Sequence, residues 1–184
     1  TVTNFDGPHS QLVSREDGTI LTNGLVWLGA FALDSTGIQD AFANQDLVLL
    51  EESFRQFGNS SSIGFNGLPG LYQNVVTQAV AEGDMFAGQR IYTVISDQGL
   101  LHDAQHLLVF QHDRVFLTDP HRIEPALLND DEGDLLVGEF GRFIGSVGQI
   151  EDQPMFTLAR VIPEPSATAL LFIVLGLAFG RRKR

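Results

Sequence analysis

The 184-residue chain contains no cysteine. If it is exported, no disulfide can staple it, and packing alone must hold the fold. Basic residues are almost as scarce. Residues 1–160 carry seven Arg, no Lys and 22 Asp or Glu, a net charge of −15. A surface of that sign repels phosphate backbones, which argues against nucleic-acid binding by this part of the chain. It favours solubility and attracts cations without naming a partner. No G-x-S-x-G elbow, phosphate-binding loop or dinucleotide fingerprint occurs, and no repeat of fixed period is visible. The first residue is Thr1 rather than Met, as expected either of a removed export signal or of a trimmed sequence.

What is present suits one globular body of about 160 residues, long enough to bury a core without staples. Fourteen Phe predict a core built on aromatic packing. Turn signals recur at short intervals, among them Glu16-Asp17-Gly18, Asn23-Gly24, Asn66-Gly67, Glu82-Gly83-Asp84 and Asp119-Pro120. Between them lie short β-rich runs at 19–22, 25–33, 90–96, 106–110, 114–118, 135–138 and 155–162. The runs 107–110 and 115–117 read as a hairpin joined through 111–114, and 71–80 reads as a strand. One helix is expected at about 44–57. Leu47, Leu50, Phe54 and Phe57 fall at helical spacing there, with Asn44 as N-cap, Gly58 as stop and a short helical turn before it at 36–42. The expected fold is mainly β: an antiparallel sandwich or jelly-roll-like domain over residues 1–161, with that one inserted helix and a C-terminal hydrophobic helix.

The end of the chain has a different character. Pro163-Glu164-Pro165 can neither continue a strand ladder nor enter a helix, so it stays extended and accessible. Residues 167–179 are 13 small or apolar residues broken by one Thr, and Ser166 and Gly180 extend the run to 15. A helix of that length spans about 22 Å, short of a hydrocarbon core of roughly 30 Å. Its eight Leu, Ile, Val and Phe favour insertion by about 2.5–5 kcal/mol in total. Arg181, Arg182, Lys183 and Arg184 close the chain, and moving four cations to mid-membrane costs about 10–14 kcal/mol. They therefore stop on the near side, which the positive-inside rule makes the cytoplasm. Their long stems can snorkel to extend a short span. A buried C-terminal helix of the body is the alternative, and the lack of any polar face speaks against it.

Pro-Glu-Pro, a short apolar run and a terminal Arg-rich cluster, in that order over about 22 residues, resemble the PEP-CTERM sorting signal. The resemblance implies export in a Gram-negative, exopolysaccharide-producing bacterium and recognition by the membrane protease exosortase. It also implies a transient membrane stop through residues 166–180, cleavage near Pro163, Glu164 and Pro165, and release or attachment at the cell surface. A permanent single-pass anchor is the other fate such a tail allows. The stretch Asp84-Met85-Phe86-Ala87-Gly88-Gln89-Arg90-Ile91-Tyr92 likewise resembles a segment of exported domains that carry this signal, where a Phe-x-Gly-x-x-Ile-Tyr run leads into a central strand.

Sites in the body are harder to find. His102-Asp103-Ala104-Gln105-His106 nearly spells the zincin helix, but Asp stands where that chemistry needs Glu. The motif also sits between two expected strands, so a polar turn is the expectation and a metallohydrolase through His102 and His106 the remoter one; adventitious metal binding would add the nearby His112. Asp130, Asp131, Glu132 and Asp134 form an acidic run able to offer oxygens to Ca²⁺, although no EF-hand pattern aligns with it. A solvated acidic turn is the plainer reading. Trp27, Tyr72 and Tyr92 would stack on sugars if exposed, but Trp27 lies in the apolar run LVWLGAFAL and is expected in the core. The expected function is that of a non-enzymatic exported surface or matrix protein, associated with exopolysaccharide and without catalytic residues. A glycan- or calcium-binding module is the alternative.

Overall fold

The computed structural model describes residues 2–3, 11–75, 79–118, 126–127, 132–142, 146–147, 150–151 and 154–161. In chain order its elements are β1 (Val2–Thr3), β2 (Leu12–Ser14), β3 (Leu25–Phe31), α1 (Ser35–Ala43), α2 (Leu47–Ser53), β4 (Phe54–Gln56), β5 (Ser61–Ser62) and β6 (Gln73–Asn74). There follow β7 (Arg90–Ser96), β8 (His106–Val115), β9 (Ala126–Leu127), β10 (Gly133–Val137) and β11 (Glu139–Arg142). The last are β12 (Ser146–Val147), β13 (Ile150–Glu151), β14 (Pro154–Thr157) and β15 (Ala159–Arg160). The chain is mainly β, as its turn spacing predicts.

The principal sheet runs β10-β8-β7-β3-β4, with β5 also beside β3 and β15 beside β8. Every pairing in it is antiparallel. Its central strands are continuous apolar runs rather than alternating ones, because both faces are buried. Side chains alternate across a strand, so one face presents Val26, Leu28, Ala30, Ile95, Leu108 and Phe110. The opposite face presents Trp27, Phe31, Tyr92, Val94, Leu107 and Val109. Ile38 and Ala41 of α1 and Leu47 and Leu50 of α2 cover this second face. The first is covered by a smaller sheet, β11-β14-β2, through Val13 and Phe156. Phe57, Phe86 and Phe116 complete that side, with ring centroids 4.7–5.2 Å apart. Such pairs stabilise beyond their buried area by about 0.5–1.5 kcal/mol each.

The helical region departs from expectation in its lengths: the short turn expected at 36–42 is a full helix, α1, and the helix expected at 44–57 is the shorter α2. Asp34 caps α1 by accepting from Gly37 N (2.7 Å), and Asp46 caps α2 by accepting from Leu49 N (3.0 Å). Asn44, the expected N-cap, closes the end of α1 by donating its backbone N–H to Asp40 O. The helix expected to run to 57 stops at Ser53, whose hydroxyl donates to Leu50 O. The exposed edge of β3 then claims the backbone: Phe31 pairs with Phe54, Gly29 with Gln56, and Phe57 N donates to Leu28 O. Phe54 and Phe57, alike in helical phase, end on opposite faces of the sheet. A ladder that satisfies an open edge outweighs helical periodicity over so short a segment.

The expected hairpin at 107–117 is a correction of the same kind. Residues 106–115 are one ten-residue strand, because two of the four residues taken for a turn, Gln111 and His112, are buried and paired inside the sheet. His112 Nε2 lies 2.7 Å from Thr93 Oγ1, and Ser35 Oγ donates to Gln111 Oε1 (2.5 Å). Of 19–22 only Ile20 bridges, to Ser14, and of 71–80 only Gln73–Asn74 is strand among the described residues. The run at 155–162 divides into β14 and β15 at Leu158, and Ile162 lies outside the described residues.

That division marks a corner. β10 continues into β11 through Gly138, and β14 into β15 through Leu158, so both connections pass from one sheet to the other. Gly138 has φ 114°, and a Cβ there would lie 2.7 Å from Thr157 O. Gly138→Ala should therefore cost about 2–4 kcal/mol, from backbone strain and overpacking together. Gly18, with φ 79° and nothing within 4 Å of a Cβ, is the control and should lose about 1–2 kcal/mol as Ala. Urea midpoints at constant slope measure both. Equal losses would show that the corner is not sterically closed.

Candidate functional site

The turn between β7 and β8 holds the two histidines singled out by their spacing. Antiparallel pairing of Ser96 with Leu107 brings Asp97 beside His106. The Asp97 carboxylate accepts from Gln105 N (3.0 Å), His106 N (3.1 Å) and His106 Nδ1 (2.8 Å). A carboxylate only accepts, so Nδ1 must carry the proton. Burial raises the Asp97 pKa, but these hydrogen bonds outweigh it and leave the carboxyl below its usual range. His102 is held from elsewhere: its backbone N–H (3.0 Å) and Nδ1 (2.8 Å) both donate to Glu51 Oε2 on α2. Burial likewise opposes, and the His102 bonds overcome, so that the Glu51 pKa is lowered.

His106 is thus held by Asp97 and His102 by Glu51, with Asp103 Oδ1 also 3.6 Å from His102 Nε2. Residues 101–103 form a single 3-10 turn and His106 opens β8, so the two imidazoles do not share the helical face that zincin-type ligation requires. The third histidine, His112, is buried within the sheet against Thr93. Among the described residues no three His, Asp or Glu are grouped to hold a metal ion.

The acidic run is only partly visible, since Asp130 and Asp131 lie outside the described residues. Glu132 accepts from Arg114 Nε and Nη2 at 3.2 Å, and its carbonyl accepts from Asp113 N. Asp134 is exposed on β10, opposite Gln111. Trp27, Tyr72 and Tyr92 are all buried and offer no platform to a sugar. Burial pushes the Tyr72 phenol pKa up. The Phe-x-Gly-x-x-Ile-Tyr stretch does lead into a central strand, since β7 lies between β8 and β3.

An open cleft of about 510 Å³ lies beside His106, lined by Glu16, Asp17, Gln105, His106, Arg160 and Val161. Asp17 accepts from Thr19 N (2.9 Å), a bond that lowers its pKa. The described lining supplies two carboxylates, a guanidinium and an imidazole with Nδ1 already engaged, but no hydroxyl or thiol nucleophile. Val161, the last of the described residues, belongs to this cleft and donates its N–H to Gln105 O (2.8 Å). Sequence spacing pointed to His102 and His106 but not to Glu51, Asp97 or Arg160. Asp97 lies on the same β7–β8 connection, but it is the register of Ser96 with Leu107 that sets it opposite His106.

No family model, curated protein or solved structure matches the chain.

Asp97 should act as an acid-sensitive brace. Its folded pKa lies below its unfolded value near 3.8, so its contribution is complete above that pH and lost as pH falls through the folded pKa. Its side chain is only 5% exposed, and Asp97→Asn should cost about 1–3 kcal/mol at pH 7. The variant should also show a shallower loss of stability below about pH 4. Parallel stability curves for variant and wild type from pH 7 to 2 would refute this role.

Proposed function

We propose that the chain is an exported, non-enzymatic surface or matrix protein whose β-rich body is delivered by a PEP-CTERM tail to exosortase. The observation that carries this reading is the ordered tail: Pro163-Glu164-Pro165, the apolar run at 166–180 and the cations Arg181, Arg182, Lys183 and Arg184. Its parts have separate physical tasks. The prolines keep the processing segment free of regular structure, the apolar run holds it at the bilayer, and the cations stop transfer. Among the described residues no helix is long and apolar enough to cross a membrane, and residues 162–184 lie outside them.

The body fits delivery to a polysaccharide-rich exterior. Its charge of −15 keeps it soluble there, and its cysteine-free packing needs no oxidative folding. We read the body as a β-sandwich whose sheets share corner strands at Gly138 and Leu158. Strands that switch sheets by bends are the usual way to make such corners, and the pairing of β11 with β14 across the corner supports it. The α1–α2 pair is then an insertion that covers the outer face of the larger sheet.

The direct test is the intact mass of protein recovered from the native cell surface and medium. The expected mass ends near 163–165, with or without an added surface group. A mass that includes Arg184 would replace sorting with a lasting membrane anchor.

A further inference from the structure

We infer that the cleft beside His106 binds a short zwitterion of dipeptide size, with its ammonium at the turn after β2 and its carboxylate on Arg160. The site stands apart from the proposed sorting, since residues of the body form it. It lies among the turn after β2, the start of β8 and the end of β15, and its volume of about 510 Å³ suits a small molecule. The fold holds its charged groups in place. Arg160 pairs directly with His106 in the β15–β8 ladder, so the guanidinium and the imidazole leave the sheet on the same face. Asp97 fixes the ring through Nδ1 and leaves Nε2 as an acceptor. The turn that carries Glu16 and Asp17 is closed by three bonds of 2.9 Å: Gly18 N to Arg15 O, Arg15 N to Thr19 O and Thr19 N to Asp17 Oδ1.

The unlike charges of the cleft do not neutralise one another. Among the described residues neither Glu16 nor Asp17 forms an ion pair with Arg160, and no partner engages the Glu16 carboxylate, the Arg160 guanidinium or His106 Nε2. A ligand of one sign leaves part of this set unsatisfied. An anion meets two carboxylates on a body whose residues 1–160 carry −15, and a cation meets a guanidinium. A dipeptide with free ends satisfies each part. Its ammonium donates to the carboxylates, and its carboxylate accepts from the planar fork of Arg160. Its peptide group finds both a donor and an acceptor in the Gln105 amide. Extended, its two charges stand about 7 Å apart, which lets it bridge groups that do not touch.

Glycylglycine is the probe, titrated into the full-length chain in a non-ionic detergent at pH 7, where both its ends are charged. The amide resonances of Gln105 and His106 report binding. Two analogues each lack one charge: N-acetylglycylglycine has no ammonium, and glycylglycinamide has no carboxylate. Glycylglycine should bind in the millimolar range and each analogue about 10-fold more weakly, the lower end for a lost charge-assisted bond. Glu16→Gln and Arg160→Gln locate the two ends. Both residues are exposed, so urea midpoints should stay close to wild type. Arg160→Gln should bring glycylglycine down to the level of glycylglycinamide. Glu16→Gln should narrow its lead over N-acetylglycylglycine, Asp17 remaining in place. Three results would each overturn the site: equal binding of all three ligands to wild type, no shift at Gln105 and His106 well above millimolar ligand, or the wild-type preference kept by both variants.

Discussion

The structure depends on one strand being paired along both edges and buried on both faces. β8 meets β7 on one side, while β10 and β15 share the other side end to end. Leu107 and Val109 face the helices, and Leu108 and Phe110 face the smaller sheet, all fully buried. Main-chain groups so placed have no access to water, so every element that borders β8 is held by the need to satisfy them. The same rule extends to side chains. Gln111 and His112 sit in the strand because Ser35, Tyr92 and Thr93 stand within bonding reach.

This constraint explains which parts of the fold were legible from sequence. Strands 25–31 and 90–96 announced themselves as apolar runs bounded by turns, and they form nearly where expected. The reading failed where long-range pairing overrode local pattern. Gln111–Arg114 has turn composition, yet a helix-borne Ser and a cross-strand Thr hold Gln111 and His112 in the strand interior, and neither partner is near in sequence. Phe54 and Phe57 keep helical spacing, yet the unpaired edge of β3 draws Phe54–Gln56 into the sheet. At the candidate site the histidines were visible as a motif, but Glu51 is 51 residues from His102, and only the packing of α2 on the turn unites them. The tail is the opposite case: its features are adjacent residues in a set order, and residues 162–184 lie outside the described residues, so no long-range pairing enters its reading.

The residues that precede the Pro-Glu-Pro motif are the closing strand of the principal sheet, and they form one wall of the cleft beside His106. The Asp97–His106 pair shapes another wall of the same cleft. Stability of the turn between β7 and β8 and pairing of residues 159–161 are therefore properties of one small region. A substitution made to probe either will register in both.

The smaller sheet carries a further consequence. β2 lies parallel to β14, with Val13 opposite Phe156, and Ser14 Oγ within 3.2 Å of Thr157 Oγ1 across 143 positions of sequence. Loop closure over that distance comes late and slowly, because its entropy must be overcome before the contact returns any stabilisation. A chain made or threaded from its N-terminus cannot seat Leu12–Ser14 until residue 157 has emerged. Until then the Phe110 side of the principal sheet lacks its cover, and this interval is when the aromatic core is most open to aggregation.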